Sequence, residues 1–372
     1  MIFLKTAGII CEYNPFHNGH LYHISETKKN ADAVVCVMSG SFVQRGMPAV
    51  CDKFSRADDA VRCGADIVIE LPAVFALSSA ERFAYGGVYI LSALGFVDML
   101  SFGSENEKIQ IIDENDADFK AQLQAELDLG YSFPAARYNA AKKVYGVSLP
   151  KTPNDILGYE YLKAIDRLKS PIKPFTVKRR FNAYDSMTPE GEYASATYIR
   201  ENLNEAKKYM PHALEKSDIT DFEKYKLAAL SHLRCIEADA LSKAYGCSEG
   251  LQNRIKQAAN DAESFDEFLE LAKTKRYTTG RILRCVACSM LGIGKEDYTP
   301  EYIRILSMSK TGCGLLRQNS ISLPVITNLS KQGFSSRQLA FDIKSGNLRS
   351  LFTKNPKGGN DYRRSPRVIT SE

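Results

Sequence analysis

Apolar runs and amphipathic stretches alternate over the first hundred residues of the chain. Four short apolar runs are predicted as strands, over residues 7–11, 33–38, 67–71 and 97–102. The segments between them have the composition and spacing of helices, predicted over residues 19–30, 53–63 and 78–94. Strands that alternate with helices usually pair in parallel, so the pattern predicts an α/β domain with a doubly wound sheet.

The same pattern continues further along the chain and then changes. A helix over residues 154–168, a strand near 174–179 and a helix starting around Ser195 extend it. From about residue 220 to 295 the apolar spacing is helical, and a short mixed segment follows. We therefore predict an α/β domain over residues 1–205, a mainly helical region over 206–345 and a basic, flexible tail over 346–372.

The loops that follow the strands are the first place to seek a ligand site. In a doubly wound sheet, ligands bind outside the carboxyl ends of the strands. Residues 39–46 follow the second strand and residues 103–106 follow the fourth, and both loops are polar and contain glycine. We expect these loops to line one edge of the sheet.

The composition is that of a folded protein without membrane-spanning segments. Of 372 residues, 44% are hydrophobic and 25% charged, which is typical of a folded protein and excludes a disordered or low-complexity chain. No apolar run reaches 18 residues, and the first residues lack the features of a signal peptide, so we expect a cytoplasmic protein with no membrane partner.

The cysteines do not predict a disulfide framework or a metal site. There are nine, an odd number, and they are scattered along the chain, so free thiols are expected. Cys285 and Cys288 form a single C-x-x-C pair without a second pair at zinc spacing. We expect no metal ion bound by protein side chains alone.

The net charge of +5 lies at one end of the chain. Residues 344–372 contain seven basic and two acidic side chains, and the other 42 basic and 42 acidic residues cancel. The seven are Lys344, Arg349, Lys354, Lys357, Arg363, Arg364 and Arg367. Such a segment is usually a solvated end, but it can also follow a phosphate backbone, so charge alone does not decide between the two.

The strongest chemical signal follows the first predicted strand. The strand ends before an Asn-Pro turn, and His17, Gly19 and His20 come where the next helix should start. Backbone N–H groups at a helix start bind anions, glycine permits close approach, and side chains three positions apart lie on one face. A histidine here could also be only a cap or a surface residue. Two of the five histidines around one glycine favour a triphosphate site.

This motif resembles the H-x-G-H signature of the nucleotidylyltransferase superfamily, in which the histidines stabilise the triphosphate during attack on the α-phosphate. The superfamily has a second half far downstream, a Ser/Thr-rich turn that ends in arginine at a helix start. Residues 194–200, with Ser195, Thr197 and Arg200, resemble it. Ser195 and Thr197 could also serve as helix caps, a role that is compatible with phosphate binding.

A narrower resemblance covers most of the chain. Its segments are residues 12–20 (EYNPFHNGH), 37–40 (VMSG), 44–46 (QRG), 69–72 (IELP), 102–105 (FGSE) and 195–200 (SATYIR). Together they resemble the bacterial tRNA(Met) cytidine acetate ligases. The resemblance implies a Rossmann-like domain that activates acetate with ATP as acetyl-adenylate. The acetyl group then passes to the exocyclic amine of the wobble cytidine of elongator methionine tRNA, giving acetylcytidine without acetyl-CoA.

The resemblance also implies the site residues. His17, His20 and Arg200 would be catalytic, and a divalent ion, Mg²⁺, would accompany ATP. The ATP-binding residues would be Ala7, Gly8, Ile9, Ile10, Cys11, Glu12, Tyr13, Asn14, Pro15, Phe16, His17, Asn18, Gly19, His20, Gly103, Asn154, Ser195 and Thr197, with Arg179 or Arg180.

The tRNA would bind the helical region over residues 206–345. Residues 273–284 contain five basic side chains and Tyr277, which could stack on an unpaired base. A solvated helix face is the alternative interpretation. Two other functions stay open: an adenylyl- or cytidylyltransferase for a small phosphorylated metabolite, and a non-catalytic tRNA-binding protein. The long basic region disfavours the first, and the intact histidine motif disfavours the second.

Overall fold

Parallel strands with intervening helices form the first half of the chain in the computed structural model. The structure describes residues 4–105, 109–131, 133–178, 188–318 and 320–370. The strands are β1 (Thr6–Cys11), β2 (Ala33–Ser39), β3 (Ile67–Leu71), β4 (Met99–Ser104), β5 (Lys173–Lys178), β6 (Ile303–Ser309), β7 (Val325–Ile326) and β8 (Arg367–Ile369).

The helices of the first half are α1 (Asn18–Lys28), α2 (Lys53–Arg62), α3 (Ala73–Ala76), α4 (Ala80–Leu94), α5 (Ala117–Asp128), α6 (Phe133–Tyr145), α7 (Pro153–Arg167) and α8 (Ala196–Glu201). A short 3-10 helix follows at Ala206–Lys208. The later helices are α9 (Phe222–Cys235), α10 (Ala238–Ser242), α11 (Leu251–Asp261), α12 (Phe265–Ala272), α13 (Thr279–Leu291), α14 (Lys310–Leu315), α15 (Leu329–Gln332), α16 (Arg337–Ser350) and α17 (Asn360–Arg363).

The described strands form one sheet in the order β5-β4-β1-β2-β3-β6-β7, with β8 beside β6. The pairs among β1 to β5 are parallel, whereas β6 is antiparallel to β3. The predicted α/β fold is confirmed, and β3 has the predicted bounds. Strand β4 begins two residues later than predicted, and Asp98 just before it accepts the backbone N–H of Thr6 with its carboxylate.

Both faces of the sheet are covered, which explains the continuous apolar runs. All seven residues of β2 are buried. Val35 and Val37 belong to one hydrophobic cluster, and Val34 and Cys36 belong to a second cluster on the other face. Successive side chains of a strand point to opposite faces, so a strand with helices on both sides needs apolar residues at every position.

After the helical region, the chain adds further strands to the sheet. The predicted division at residue 205 did not include these strands in the α/β domain. Strand β6 was not predicted, because Arg304 interrupts its apolar run. The guanidinium group of Arg304 is buried, and its nitrogens donate to Glu70 at 2.9 Å and to Asp361 at 2.7 Å. These partners are distant in sequence, so the local pattern could not indicate that an arginine would fit inside a strand.

The segment expected to be a flexible basic tail is folded onto the protein. Arg349 is only 3% exposed and donates to the carbonyl oxygen of Ala49 and to Asp218. Strand β8 pairs in parallel with β6, where Met308 lies opposite Val368. Basic side chains of this segment therefore contact other parts of the protein.

The nine cysteines all lie in the described ranges and are free thiols, as predicted. Over those same ranges, none of the helices is both long and apolar enough to cross a lipid bilayer.

Candidate active site

A cavity of about 670 Å³ opens at the carboxyl ends of β1 and β4 and beside the loop after β2. Helices α1, α7, α8, α9, α12 and α13 also contribute to its walls. The residues predicted for the site that line it are Ile9, Ile10, Cys11, Glu12, Tyr13, Asn14, His17, Gly19, His20, Gly103, Asn154, Ser195, Thr197 and Arg200. Two motifs about 180 residues apart thus meet in one cavity at the carboxyl ends of the strands, where ligands bind in such sheets.

Several predicted ATP-binding residues lie beside the cavity rather than in its wall. Ala7 is inside the sheet with no exposed surface, and Gly8 packs against Leu91 of α4. Phe16 is buried and meets Tyr13 edge to face. The same holds for Pro15 and Asn18, which are not among the residues lining the cavity. Arg179 and Arg180 lie outside the described residues.

The two histidines of the motif form the start of α1. His17 is the N-cap residue, and its Nδ1 accepts the backbone N–H of Gly19 at 3.1 Å. The Nδ1 of His20 accepts the backbone N–H of His17 at 3.2 Å, and the two rings stack with centroids 3.6 Å apart. Because each Nδ1 is an acceptor, each neutral ring carries its hydrogen on Nε2. The pair can therefore present two N–H donors to an anion.

Arg200 connects the second motif to the first. Ser195 caps α8, since its hydroxyl accepts the backbone N–H of Tyr198 at 3.0 Å. One turn later, Arg200 donates from Nη1 to the carbonyl oxygen of Asn14 at 2.7 Å and from Nη2 to the Thr197 hydroxyl at 3.0 Å. The guanidinium group thus lies at the end of β1, beside the start of α1.

The start of α7 contributes a buried polar group to the cavity. Asn154 lines the cavity, and its buried Nδ2 has no hydrogen-bond partner among the described residues. Its neighbour Asp155 anchors the helix by accepting the Ser104 hydroxyl at 2.7 Å and the Glu105 backbone N–H at 3.0 Å. Buried polar groups are normally hydrogen-bonded, so the Asn154 amide points to a ligand with an acceptor atom.

Glu12 is the acidic residue at the end of β1. Its Oε1 accepts the backbone N–H of Gln44 at 2.6 Å. Burial raises the pKa of this carboxyl, and the hydrogen bond from Gln44 and the charges of Arg200, Arg56 and Arg45 oppose the rise. The donors of His17, His20 and Arg200 lie at this end of β1 and suit a polyanionic ligand.

Comparison with known proteins decides the family. A family model described as HIGH Nucleotidyl Transferase matches residues 4–363. The tRNA(Met) cytidine acetate ligase of Acetivibrio thermocellus is 37% identical and aligns with 96% of this chain and 98% of its own length. That of Caldanaerobacter subterraneus is 39% identical over 95% of this chain and 96% of its own. The chain belongs to the tRNA(Met) cytidine acetate ligase family.

Two solved structures agree with this placement in the acetate ligase family. Thermotoga maritima TmcAL, in an apo crystal form, has 34% sequence identity and a TM-score of 0.91 over 98% of this chain and all of its own. A second crystal structure of that protein, bound with alpha-thio ATP, has a TM-score of 0.88 over the same shares of both chains. The neighbour that binds an ATP analogue thus shares the fold that builds the cavity.

Some residues of the cavity in this acetate ligase family member were not predicted as site residues. Lys178 at the end of β5 and Tyr193 before α8 line it, and so do Phe222 and Leu269 of the helical region. Apolar spacing could not reveal the last two, because the same pattern describes residues that pack in a core. Gln44 and Arg45 also line the cavity, as expected of the loop after the second strand.

The basic segment over residues 273–284 differs from the expected RNA-binding surface. Tyr277 is only 8% exposed, and its hydroxyl donates to the Glu249 carbonyl oxygen, so its ring is not available to stack on a base. Arg281 donates to Gly246 and to Ser248, which ties it to a neighbouring loop. Arg276 stays 64% exposed beside Glu249 and is the better candidate for a phosphate contact.

Proposed function

We propose that this chain is an ATP-dependent ligase that activates acetate as acetyl-adenylate and acetylates the wobble cytidine of elongator methionine tRNA. The observation that carries the proposal is the stacked pair of His17 and His20 at the start of α1, with Arg200 fixed beside them. The named relatives and the neighbour bound with an ATP analogue support the same activity.

The triphosphate would lie at the start of α1. The Nε2–H groups of His17 and His20, the Arg200 guanidinium and the helix dipole would oppose the negative charge of the phosphates. Ser195 and Thr197 lie at the start of a second helix in the same cavity. Arg179 or Arg180, which follow β5, would add a further cation.

The nucleoside would lie toward β4 and α7. The Asn154 amide, which has no partner among the described residues, would donate to an acceptor atom of the nucleoside, and Gly103 would permit close approach. Such contacts would place the α-phosphate near the end of β1. Fixed positioning of the two reactants supplies a large part of the rate enhancement in group transfer.

The first step would convert acetate into an acylating agent. An acetate oxygen attacks the α-phosphorus, the bond from that phosphorus to the bridging oxygen breaks, and pyrophosphate leaves. Negative charge grows on the α-phosphate and on pyrophosphate during this step, and preformed donors stabilise it at little reorganisation cost. His17, His20 and Arg200 would be those donors.

The second step would transfer the acetyl group. The exocyclic nitrogen attacks the acetyl carbon, the bond between that carbon and the phosphate oxygen breaks, AMP leaves, and the nitrogen releases one proton. Both steps would use the same cavity, so the reactive mixed anhydride would not need to leave the protein between them.

A Mg²⁺ ion would enter with ATP. No group of three or more histidine, cysteine, aspartate or glutamate side chains suited to a metal exists among the residues described. Mg²⁺ is commonly held by substrate phosphates, waters and one or two carboxylates, and Glu201 lines the cavity. Such an ion would neutralise phosphate charge.

Exchange of labelled pyrophosphate into ATP tests the proposal. The purified protein should catalyse exchange with acetate in the absence of tRNA, and much less with no acid, formate or propionate. Addition of methionine tRNA should then yield acetylated tRNA and AMP. Exchange without acetate but with a phosphorylated metabolite would instead identify a nucleotidyltransferase, and absence of both activities would leave only an RNA-binding role.

A further inference from the structure

The cavity has a second end that none of the predicted nucleotide-binding residues occupies. In the sheet, β1 has β4 on one side and β2 on the other. Gly103 and Asn154 lie on the β4 side, whereas the cavity also extends to the β2 side. We call that end the acceptor compartment, and the residues that matter are Gln44, Arg45, Met47, Phe222, Leu269 and Leu283.

The loop that forms this compartment is held in place from both sides. Toward β1, the backbone N–H of Gln44 donates to Glu12 at 2.6 Å. Toward the helices, Arg284 donates to the Gln44 carbonyl oxygen at 3.3 Å, and Gly46 lies against the backbone of Leu283 and Arg284. A compartment with fixed walls loses little conformational entropy when it is filled.

The chemistry of the walls selects the occupant. Met47, Phe222, Leu269 and Leu283 offer apolar surface, which suits the flat face of a base. The Glu12 carboxylate lies where this end meets the histidine motif, and carboxylates accept hydrogen bonds from the exocyclic amine of cytosine. Arg45 is exposed in the same wall and can meet a phosphate.

This inference rests on the proposed function and names the site of its second substrate. We propose that the acceptor compartment binds an unpaired amino-bearing base of the acceptor RNA, while Arg45 contacts an adjacent phosphate. The base then lies on the opposite side of the α1 start from the nucleoside of ATP. Its amine meets the acetyl group at the junction of the two ends, near His20.

Two variants with matched controls test the compartment. Arg45→Glu removes the cation from the wall, and Lys310→Glu makes the same charge change at the opposite edge, because α14 follows the antiparallel strand β6. Phe222→Ala removes an aromatic face, and Phe222→Leu keeps apolar volume at the same helix start. Two activities are measured for each: acetate-dependent pyrophosphate exchange without tRNA, and acetyl transfer to methionine tRNA.

The compartment is supported if transfer falls selectively. Arg45→Glu and Phe222→Ala should lower kcat/KM for tRNA about tenfold or more, with exchange within about twofold of the original protein. Arg45→Glu should also reduce the salt dependence of tRNA binding by about one phosphate contact. Lys310→Glu should match the original protein, and Phe222→Leu should be intermediate.

Three other results would overturn it. Transfer by Arg45→Glu and Phe222→Ala equal to that of the controls would leave the compartment without a role in RNA binding. An equal loss of exchange and transfer in both variants would assign it to ATP or acetate. If the unaltered protein itself neither exchanges nor transfers, the proposed function fails first, and the inference fails with it.

Discussion

His17 and His20 each have one ring nitrogen that shapes the helix and another that suits a ligand. Their Nδ1 atoms accept backbone N–H groups of Gly19 and His17. Structure and chemistry therefore depend on different atoms of the same ring. Asparagine can replace the Nδ1 acceptor with its Oδ1 but does not extend to the position of Nε2, so the two contributions can be separated.

His17→Asn should retain stability and lose activity. We expect its free energy of unfolding to stay close to that of the original protein, whereas His17→Ala should lose about 1 kcal/mol because the cap is gone. Both variants should lose most acetate-dependent pyrophosphate exchange. Urea denaturation and the exchange assay measure the two effects. Full exchange by His17→Asn would limit His17 to a capping role.

Asn154 should affect ligand binding without supporting the ligand-free fold. Its Nδ2 is buried without a partner among the described residues, and an unmade hydrogen bond costs about 1–3 kcal/mol. Asn154→Ala should therefore leave the ligand-free melting temperature unchanged or higher, and raise KM for ATP about tenfold.

Asn139→Ala is the matched control for that variant. The Asn139 amide already donates to Glu126 at 3.0 Å, and Asn139 is not among the residues lining the cavity, so its loss should lower stability and leave KM for ATP unchanged. A fall in melting temperature for Asn154→Ala without a change in KM would mean that the amide has only a structural role.

At the scale of single residues, the sequence predicts those site residues that lie close together along the chain. His17, Gly19 and His20 lie together in sequence, and the helix start that they form could be inferred directly. Arg56 could not be inferred. It is fully buried and donates to carbonyl oxygens of Glu12 and Ser39, at the ends of β1 and β2. Only the folded sheet brings those carbonyls together around one arginine.

Among the elements, the loop after β2 connects the sheet to the helical region. Gly46 has a φ angle of +82°, and a side chain there would overlap the backbone of Leu283 and Arg284. Tyr225 of α9 also donates to the Gly46 carbonyl oxygen at 3.3 Å. The loop therefore sets the distance between the end of β1 and α13.

Gly46→Ala should disturb this junction. We expect a loss of more than about 2 kcal/mol in the free energy of unfolding, since the left-handed backbone alone costs about 1–2 kcal/mol. Gly146→Ala is the control, because Gly146 has a φ angle of +67° with no described atom near its missing side chain. The free energy of unfolding of Gly146→Ala should therefore fall only by the cost of the left-handed backbone. Equal losses, measured by urea denaturation, would show that overlap with α13 has no effect.

The helices and strands were predicted correctly where apolar residues recur with one regular spacing throughout a segment. The apolar run of β3 gave its bounds, and regular spacing indicated the helices from α9 to α13. It missed β6, whose arginine needs partners from other elements. The sequence pattern also could not show that the apolar side chains of Phe222 and Leu269 face a cavity, because residues of a core and residues lining a cavity follow the same spacing.

At the scale of the whole molecule, a buried network of charges connects the sheet to the C-terminal segment. Lys53 pairs with Glu70 at 2.6 Å and with Asp361 at 2.7 Å, and Arg304 pairs with the same two carboxylates. Asp342 lies beside them and accepts the backbone N–H of Ala73 at 2.7 Å. The predicted tail is thereby held against the sheet, which its composition alone could not reveal.

Stability should fall as pH rises through the titration of Asp342. Burial raises the pKa of Asp342 to about 8, well above the value of about 3.9 in an unfolded chain. The folded state therefore binds the extra proton, and this contribution is complete below about pH 4 and is lost as pH rises through about 8. Asp342→Asn cannot ionise, so its stability should vary less between pH 6 and 9.

Urea denaturation at several pH values checks this prediction. Asp297→Asn provides the comparison, because that carboxyl is 94% exposed and its 3.6 Å ion pair with Arg82 is screened by solvent. The same decline in Asp342→Asn as in the original protein would assign the pH dependence to another group.

The pairing of Arg304 with Asp361 has a consequence for synthesis. The arginine emerges from the ribosome 57 residues before its partner, an interval of about 3 to 11 s at about 5 to 20 residues per second. Meanwhile Lys53 and Arg304 lack one of the two carboxylates that pair with both of them, and β6 has no β8 beside it. A nascent chain must therefore keep this sheet edge unfinished until its final strand appears. A chain cut short before Asp361 would then be a target for chaperones or proteases rather than a smaller enzyme.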